Sequence, residues 1–467
     1  MKYYLGIDLG TTGTKSILFD DNGNVVGKGY KGYPLITPSE NFFEQDAEEW
    51  YDAVVSSVKE ATKDFSGEVT AMSFSAQGGS FLFADVDENG SPIPLTNAIT
   101  WMDKRAEVEA EILKDDYFKL TGKSMGASNM LAKYLWVKNN LPDAFSKAKF
   151  VLSTSDYIYL KITGKAVIDY TSAAMMGVYD VDLNDYDERL VNLAGLTVEK
   201  FPKIVQAGEC IGYANEKFMN ETALKGSISV YVGLHDQFAA SLGANYFSEN
   251  DVIVSTGTTW VVFARNADKI DGNFAYRRHP AGDYGYFNSA ISSGTVLEWE
   301  KSLFGLPYKE MDALAESKEI DDNLLVYPFV SGNGGYRGQN VLSFSIKNAH
   351  YKHDKGDIFK ATMEGVAFEI KQVINIYKQS GFNVGKIIVT GGATRSSVWM
   401  GILSDVLGEK LYLSEQADGC CFGAYSVAKK GEGGNFVTFN FNGKTVEPNI
   451  ENVQRYEIKF EKYNKNI

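Results

Sequence analysis

Three glycine-containing turns in this chain carry residue types that hold phosphate. The first, Gly10-Thr11-Thr12-Gly13-Thr14, follows Ile7-Asp8-Leu9 and is followed by Lys15. It offers closely spaced backbone N–H donors, threonine hydroxyls and an ammonium group, all suited to phosphate oxygens. Thr256-Gly257-Thr258-Thr259 repeats the pattern in the second half of the chain. Thr390-Gly391-Gly392-Ala393-Thr394-Arg395-Ser396 leads into a helix expected from Ser397, and its small residues would let a ligand approach the backbone. Each turn alone is better explained by tight turning with polar filling. Their joint occurrence, with Asp8 beside the first, points to a bound polyphosphate. A carboxylate at a strand end beside such a hairpin is placed to hold Mg2+, directly or through water.

Two other motifs fail. Gly27-Lys28-Gly29-Tyr30-Lys31-Gly32 matches the dinucleotide fingerprint, but that fingerprint must open a helix. Tyr33-Pro34-Leu35-Ile36-Thr37-Pro38 follows, and its prolines forbid one. Thr121-Gly122-Lys123-Ser124 resembles the tail of a P-loop, yet Tyr117 stands where the upstream glycine is required.

The elements that must position these turns are strands and helices in alternation. Lys2–Leu9, Lys15–Asp20 and Val25–Gly27 read as an antiparallel meander. Ala47–Lys63 reads as a helix with Trp50, Val54, Val58 and Ala61 on one stripe. Val69–Ser75, Ser80–Asp85 and Ile228–Val232 are expected strands. Met102–Lys114 and Leu131–Asn139 are expected helices, and 180–227 is loop-rich. Near residue 246 the pattern restarts with strands Asp251–Ser255 and Trp260–Arg265. Helices at Thr295–Phe304, Gly356–Ser380 and Ser397–Leu407 follow, with a strand at Lys386–Thr390. The echo of the first Gly/Thr turn in the second reads as an internal repeat. An α/β protein of two lobes is expected, 1–245 and 246–467.

Composition agrees with a folded, cytoplasmic protein. The 467 residues carry 46 Lys+Arg against 60 Asp+Glu, a net charge of −14, so neither a general nucleic-acid binder nor a membrane-surface binder is expected. The N-terminus meets Asp8 before the apolar core of a signal peptide can form, and no uncharged run of about 18 apolar residues could span a bilayer. Cys210, Cys420 and Cys421, with only four histidines, give neither a disulfide framework nor a zinc spacing. Any metal should be a hard ion with oxygen ligands. Aromatic residues at 13% could furnish a homodimer interface but are more simply core.

Six segments, in order, carry a resemblance. They are Ile7–Lys15, Glu44-Gln45-Asp46 with Trp50, Trp101-Met102-Asp103-Lys104-Arg105, Gly233-Leu234-His235-Asp236-Gln237, Ser255-Thr256-Gly257-Thr258, and Gly391-Gly392-Ala393 with Ser396. The chain resembles the FGGY carbohydrate kinases, a family that includes xylulokinase, gluconokinase and glycerol kinase. The likeness covers nearly the whole chain. It implies two lobes, each with an actin-like, ribonuclease-H-like core, closing over a cleft that holds ATP and sugar. It also implies site roles. Gly10, Thr11, Thr12 and Lys15 match the first phosphate loop, and Gly257 and Thr258 the second. Gly294 and Glu298 match a helix start lining the nucleotide pocket, and Gly392 and Ser396 the adenosine loop. Asp8 and Asp236 match Mg2+ partners, and Asp236 the catalytic base. On the residues alone Asp236 reads first as a helix N-cap, since Gln237–Leu242 is expected to be helical; the catalytic role comes from the resemblance, and the two readings are compatible.

On the sugar side, Trp101 and Asp103 suit a polyol, one through an apolar face and one through a carboxylate oriented by Arg105. Gln77, Gly78 and Gly79 align with a segment that contacts substrate in the family, and Gln237 follows the base. Xylulokinases show Met-His-Gly there and glycerol kinase shows Arg-Glu; this chain has neither. Phe329–Gly338 also departs from the family's Gly-Glu-Arg pattern and reads as a flexible loop over the cleft. The expected activity is ATP-dependent phosphorylation of a small sugar, first a ketopentose, with gluconate or a polyol of the glycerol or erythritol type as the alternative. A nucleotide switch of the actin or chaperone kind would leave Trp101, Asp103 and Asp236 without purpose, and a dead sugar sensor would not need Asp8 or Asp236.

Overall fold

The computed structural model describes residues 1–121, 125–244, 250–270, 275–280, 282–290, 292–332, 335–337, 342–414, 418–437, 443–465 and 467. Gly122-Lys123-Ser124, the expected seam at 245/246, and Asn333, Gly334 and Gly338 lie outside them. The chain divides into two compact units, Met1–Gly243 with Asp418–Val437, and Ala244–Ala417 with Thr438–Ile467. A single seam therefore does not describe it: the late helix Gly419–Gly431 belongs to the first unit. Small residues are the reason. A Cβ on Gly243 would lie 1.8 Å from Gly419 O, and one on Gly6 would lie 2.0 Å from Cys421 O.

The first unit is built on a mixed sheet in the order Cys210–Tyr213, Ser229–His235, Ala71–Ala76, Tyr3–Leu9, Gly13–Asp20, Val25–Gly32. The last three form the expected antiparallel meander. Ala71–Ala76 runs parallel to Tyr3–Leu9, and Ser229–His235 parallel to Ala71–Ala76. Both faces are covered, so the strands read as apolar runs rather than alternations. Leu5, Ile7 and Leu9 join Trp50, Val54, Phe74 and Val232 in the core on one side. On the other, the rings of Tyr4 and Phe19 meet Phe422 and Tyr425 of the late helix.

Asp46 starts the helix Ala47–Thr62 by accepting the Glu48 N–H at 2.9 Å. This helix lies on Val25–Gly32, which contains the false fingerprint. A Cβ on Gly27 or on Gly29 would sit 2.0 Å from the carbonyl oxygen of Ala61 or of Ser57. Those glycines serve backbone contact between strand and helix, and the run binds no dinucleotide through a helix start.

The second unit repeats the frame. Val252–Thr256 and Trp260–Asn266 pair antiparallel, Tyr284–Ala290 continues antiparallel, Ile387–Gly391 runs parallel to the first of these, and Leu411–Leu413 parallel to that. The same five-strand pattern thus occurs twice, the duplication that the paired Gly/Thr turns implied. Expected helices appear at Ser293–Phe304, Lys355–Gln379 and Ser397–Leu407. The expected helix 102–114 instead spans Glu107–Thr121, because Asp103 uses its carboxylate to hold the Arg105 N–H at 2.9 Å and the Phe43 N–H at 2.7 Å in a loop. The glycine-rich run is corrected too: in its described part the Tyr336 hydroxyl and the Arg337 guanidinium, Nε at 2.8 Å, are pinned to Glu369 of the long helix. No helix among the described residues is long and apolar enough to cross a membrane.

Two measurements follow from this packing. The added Cβ of Gly29→Ala would force helix Ala47–Thr62 off its strand, so the variant should lose roughly 1–3 kcal/mol of stability in thermal or denaturant unfolding. Its KM for nucleotide should stay at the wild-type value, which a nucleotide loop would not allow. Glu300, buried on Ser293–Phe304, meets only the Thr362 hydroxyl, at 2.7 Å, and burial pushes its carboxyl up to about 8. A raised folded-state pKa means stability is fully present below the unfolded value and is lost as pH rises toward about 8. Glu300→Gln removes that titration. The melting-temperature difference, variant minus wild type, should therefore climb between about pH 5 and pH 8 and level off above.

Candidate active site

Strand register sets the first half of the site. Asp8 pairs with Lys15 on one side and Ser75 on the other, and His235 is in register with Ala76. Asp8, Gln77 and Asp236 therefore emerge at the same end of three neighbouring parallel strands. The approach to Asp236 is irregular. Register shifts between Tyr231 and Leu234, at Gly233, where a Cβ would lie 1.6 Å from Phe74 O. The bulge aims the following residues out of the sheet, and Asp236 becomes the first residue of helix Asp236–Gly243.

Ser75 Oγ donates to Asp8 Oδ1 at 2.8 Å. Burial raises the Asp8 carboxyl to about 6, the Ser75 hydrogen bond opposes this, and the Asp236 charge adds to it. Asp236 Oδ1 lies 3.2 Å from His235 Nε2, yet it has no aligned hydrogen-bond donor. Two interacting carboxylates with unused oxygen lone pairs form the hard, cation-deficient donor set that fits Mg2+. No group of three or more His, Cys, Asp or Glu side chains among the described residues could hold a metal, so phosphate and water oxygens would complete the shell.

The first Gly/Thr turn is closed by Gly10 N–H donating to Gly13 O at 3.1 Å, and the Tyr33 hydroxyl donates to Gly10 O. Thr12 is exposed at its tip and Thr11 half-buried. Lys15 is placed differently from its expected role. Its Nζ is 2.8 Å from Asp418, which Lys28 also holds at 2.6 Å, so it is a paired cation beside the turn and not a free one. Cys421 reaches Lys15 O at 3.5 Å and Cys420 reaches Asp236 O at 3.6 Å. Burial first, and the Asp8 charge second, pushes both thiols up, which keeps them neutral next to the acids.

Most of the residues expected on the sugar side form a linked chain. Gln77 Nε2 donates to Gln45 Oε1 at 2.9 Å, Trp50 Nε1 donates to the same oxygen at 3.1 Å, and Gln45 Nε2 donates to Thr11 O at 2.6 Å. Trp101, 49% exposed, donates Nε1 to Thr11 Oγ1 at 3.3 Å and sits over Gly79, whose Cβ would lie 3.0 Å from Trp101 Cβ. Gln237 is half-buried beside Asp236. Asp103 departs from expectation. It is fully buried, and both oxygens are taken by Arg105, with Nη2 at 2.8 Å, and by the Phe43 N–H. Arg105 also pairs with Glu44 at 2.7 Å and lies under the Phe42 and Trp136 rings. In this arrangement Asp103 anchors the Trp101 loop and offers no oxygen to a ligand.

In the second unit, the turn Gly257–Thr259 joins Val252–Thr256 to Trp260–Asn266, and helix Ser293–Phe304 starts against it. A Cβ on Gly294 would lie 2.2 Å from Gly257 O, and Thr295 N–H donates to Thr258 O at 3.0 Å. Thr256 Oγ1 donates to Thr390 O at 2.6 Å and accepts from Ala393 N at 3.2 Å. The second and third glycine turns, with Gly392, are thereby joined through one hydroxyl. Ser396 caps helix Ser397–Leu407 by accepting the Trp399 N–H, and it donates to Asp312 at 3.0 Å. Glu298 is exposed and held by the Tyr308 hydroxyl and Lys301, which lower its carboxyl in that order.

Sequence reasoning passed over Asp418, and it met Ser75 and His235 only as members of the segments Ser75–Gly79 and Gly233–Gln237, with no role of their own. Ser75 and Asp418 are ordinary polar residues whose partners lie far along the chain. His235 could have been noticed as the one histidine immediately beside a candidate acid.

Known proteins resemble this chain over most of its length. The profile of the FGGY family of carbohydrate kinases, N-terminal domain, matches residues 3–243, and that of the C-terminal domain matches 252–430. A xylulose kinase of Bacillus subtilis (strain 168) is 27% identical, with 100% of this chain and 97% of that protein covered. A gluconokinase of the same organism is 28% identical, with 90% and 86% covered. The crystal structure of a "xyloylose kinase" from Brucella ovis superposes with a TM-score of 0.91 at 24% identity, covering 99% of this chain and 98% of that one. The two relatives are named for different sugars.

Proposed function

From a chain that belongs to the FGGY family of carbohydrate kinases, and is therefore a sugar phosphotransferase of a family that uses ATP with Mg2+, we propose that it phosphorylates a hydroxyl of a small ketose, a ketopentose first. The observation that carries the reaction is Asp236: a carboxylate oxygen at a strand end, without an aligned donor, beside a second carboxylate. Asp236 would accept the proton of the attacking hydroxyl late in transfer. The backbone N–H groups of Gly10–Thr12 and of Gly257–Thr258 would hold phosphate oxygens, and Gly392 with Ser396 would border the nucleoside. Asp8 and Asp236 would hold Mg2+, which supplies charge neutralisation on the phosphates. Trp101 would cover an apolar sugar face, positioned by the buried Asp103–Arg105 pair.

A ketopentose is supported by the xylulose kinase relative, whose length this chain matches nearly end to end. The absence of Met-His-Gly at 77–79 and the gluconokinase relative favour the second reading, an aldonate or a polyol. An ADP-release assay over ketoses, aldonates and polyols tests both: release should depend on sugar, and a protein that hydrolysed ATP equally without sugar would be a nucleotide switch instead. Asp236→Asn should cut kcat by roughly 10²–10⁴ while leaving ATP binding nearly intact, and near-normal turnover would remove Asp236 from the role of base.

A further inference from the structure

The sugar-side residues leave hydrogen-bonding capacity unused, and all of it is of one kind. Trp50 Nε1 can only donate, so the Gln45 atom facing it is the carbonyl oxygen. That oxygen also takes the Gln77 amide N–H, which fixes the Gln77 amide with Oε1 left over. Gln77 is 4% exposed and Oε1 has no hydrogen-bond partner. On the neighbouring strand the His235 residue is 5% exposed. Its Nε2 faces a carboxylate oxygen at 3.2 Å, so in the neutral ring Nε2 carries the proton and Nδ1 is an acceptor. Nδ1 is buried without a partner.

Gly78 is what admits this ring. A Cβ there would lie 2.5 Å from His235 Cδ2 and 2.6 Å from its Nε2. The glycine standing where xylulokinases show histidine is thus paired with an imidazole that reaches the same space from position 235.

We propose that His235 is a specificity-determining residue: its imidazole and Gln77 Oε1 form an acceptor wall that recognises the hydroxyls of an uncharged ketose or polyol and rejects aldonates. This assignment rests on the sugar-kinase reading above. A hydroxyl brings a proton donor to each buried acceptor. A carboxylate brings only further acceptors and a negative charge, next to Asp8 and Asp236. The nearby cations are already paired, Lys15 with Asp418, Arg105 with Asp103 and Glu44, and Lys133 with Thr100 O. Buried acceptors left unmatched penalise the wrong ligand far more than a lost methylene does.

Steady-state kinetics of the full-length protein, with an uncharged panel (ketopentoses, ketohexoses, polyols) and an aldonate panel, test the assignment. Wild type should use an uncharged member at least about 10-fold better in kcat/KM than any aldonate. His235→Ala and Gly78→Ala should each lower kcat/KM for that substrate by about 10-fold or more, with KM for ATP within about twofold of wild type. In the His235→Ala background, adding Gly78→His returns an imidazole from the loop after the neighbouring parallel strand and should recover most of the loss, which a merely structural role for His235 would not permit. Sugar-dependent ADP release with His235→Ala at the wild-type level, failure of Gly78→His to rescue, or an aldonate as preferred substrate would overturn the inference alone. No sugar-dependent release from wild type would overturn it together with the kinase reading.

Discussion

Mutual repulsion between two carboxylates governs the ligand end of the first unit. Asp8 and Asp236 close two parallel strands of one sheet, with Ala71–Ala76 between them, and the Asp236 charge raises the Asp8 carboxyl on top of a larger burial cost. The surrounding residues do not cancel this charge. They supply one hydroxyl, Ser75, and two thiols held neutral by burial, while the nearest ammonium is drawn aside to Asp418. Lys15 offsets part of the Asp8 charge even while paired with Asp418, and a pair of acids so incompletely neutralised gains from a ligand that brings positive charge, as Mg2+ with a nucleotide does.

The duplicated frame shows how that charge became confined to one unit. In the first, the residue two before the turn glycine is Asp8, in register with Ser75. In the second, the matching position is Ser255, in register with Thr390. The loop after the next parallel strand is Gln77-Gly78-Gly79 in the first unit and Gly392-Ala393 in the second. Helix Ser293–Phe304 presses on the second turn through Gly294, where a Cβ would meet Gly257 O at 2.2 Å. One unit kept acids and acceptors at its strand ends; the other kept hydroxyls and backbone amides. The first arrangement suits proton acceptance and metal binding, the second an anion without a metal.

Much of the frame was legible because it is local. The Gly/Thr turns flanked by β-rich runs gave both hairpins, and Trp50, Val54, Val58 and Ala61 gave the first long helix. What escaped was long-range or unlike its expected pattern. Helix Gly419–Gly431 has glycines where a helix usually has better formers, because it lies against Gly6, Ala239 and Gly243 at backbone distance. Helix Ile450–Lys465 buries Tyr456, Lys459, Phe460 and Tyr463. Its tyrosines and lysine bond Glu364 and Glu369, polar contacts that mask an apolar stripe. In the site, types and order were readable but occupancy was not. Asp103 and Lys15 carry the expected chemistry, yet each is already paired, to Arg105 and to Asp418, by contacts that spacing does not reveal.

Those pairings bear on how a chain of net charge −14 would take a polyanion. If Lys15 and Arg105 were free, ATP could be held by cations in the usual way of a basic cleft. With both committed, the donors the fold itself supplies carry no formal charge: turn amides, threonine hydroxyls and the amide ends of helices such as Ser293–Phe304. Backbone donors are fixed by the fold and carry no side-chain entropy to lose on binding. They also leave the acceptor-rich strand ends of the first unit unneutralised, able to take the protons of hydroxyls. Under the proposed reading phosphate meets donors and the attacking hydroxyl meets acceptors, so each partner in the transfer finds the polarity it needs.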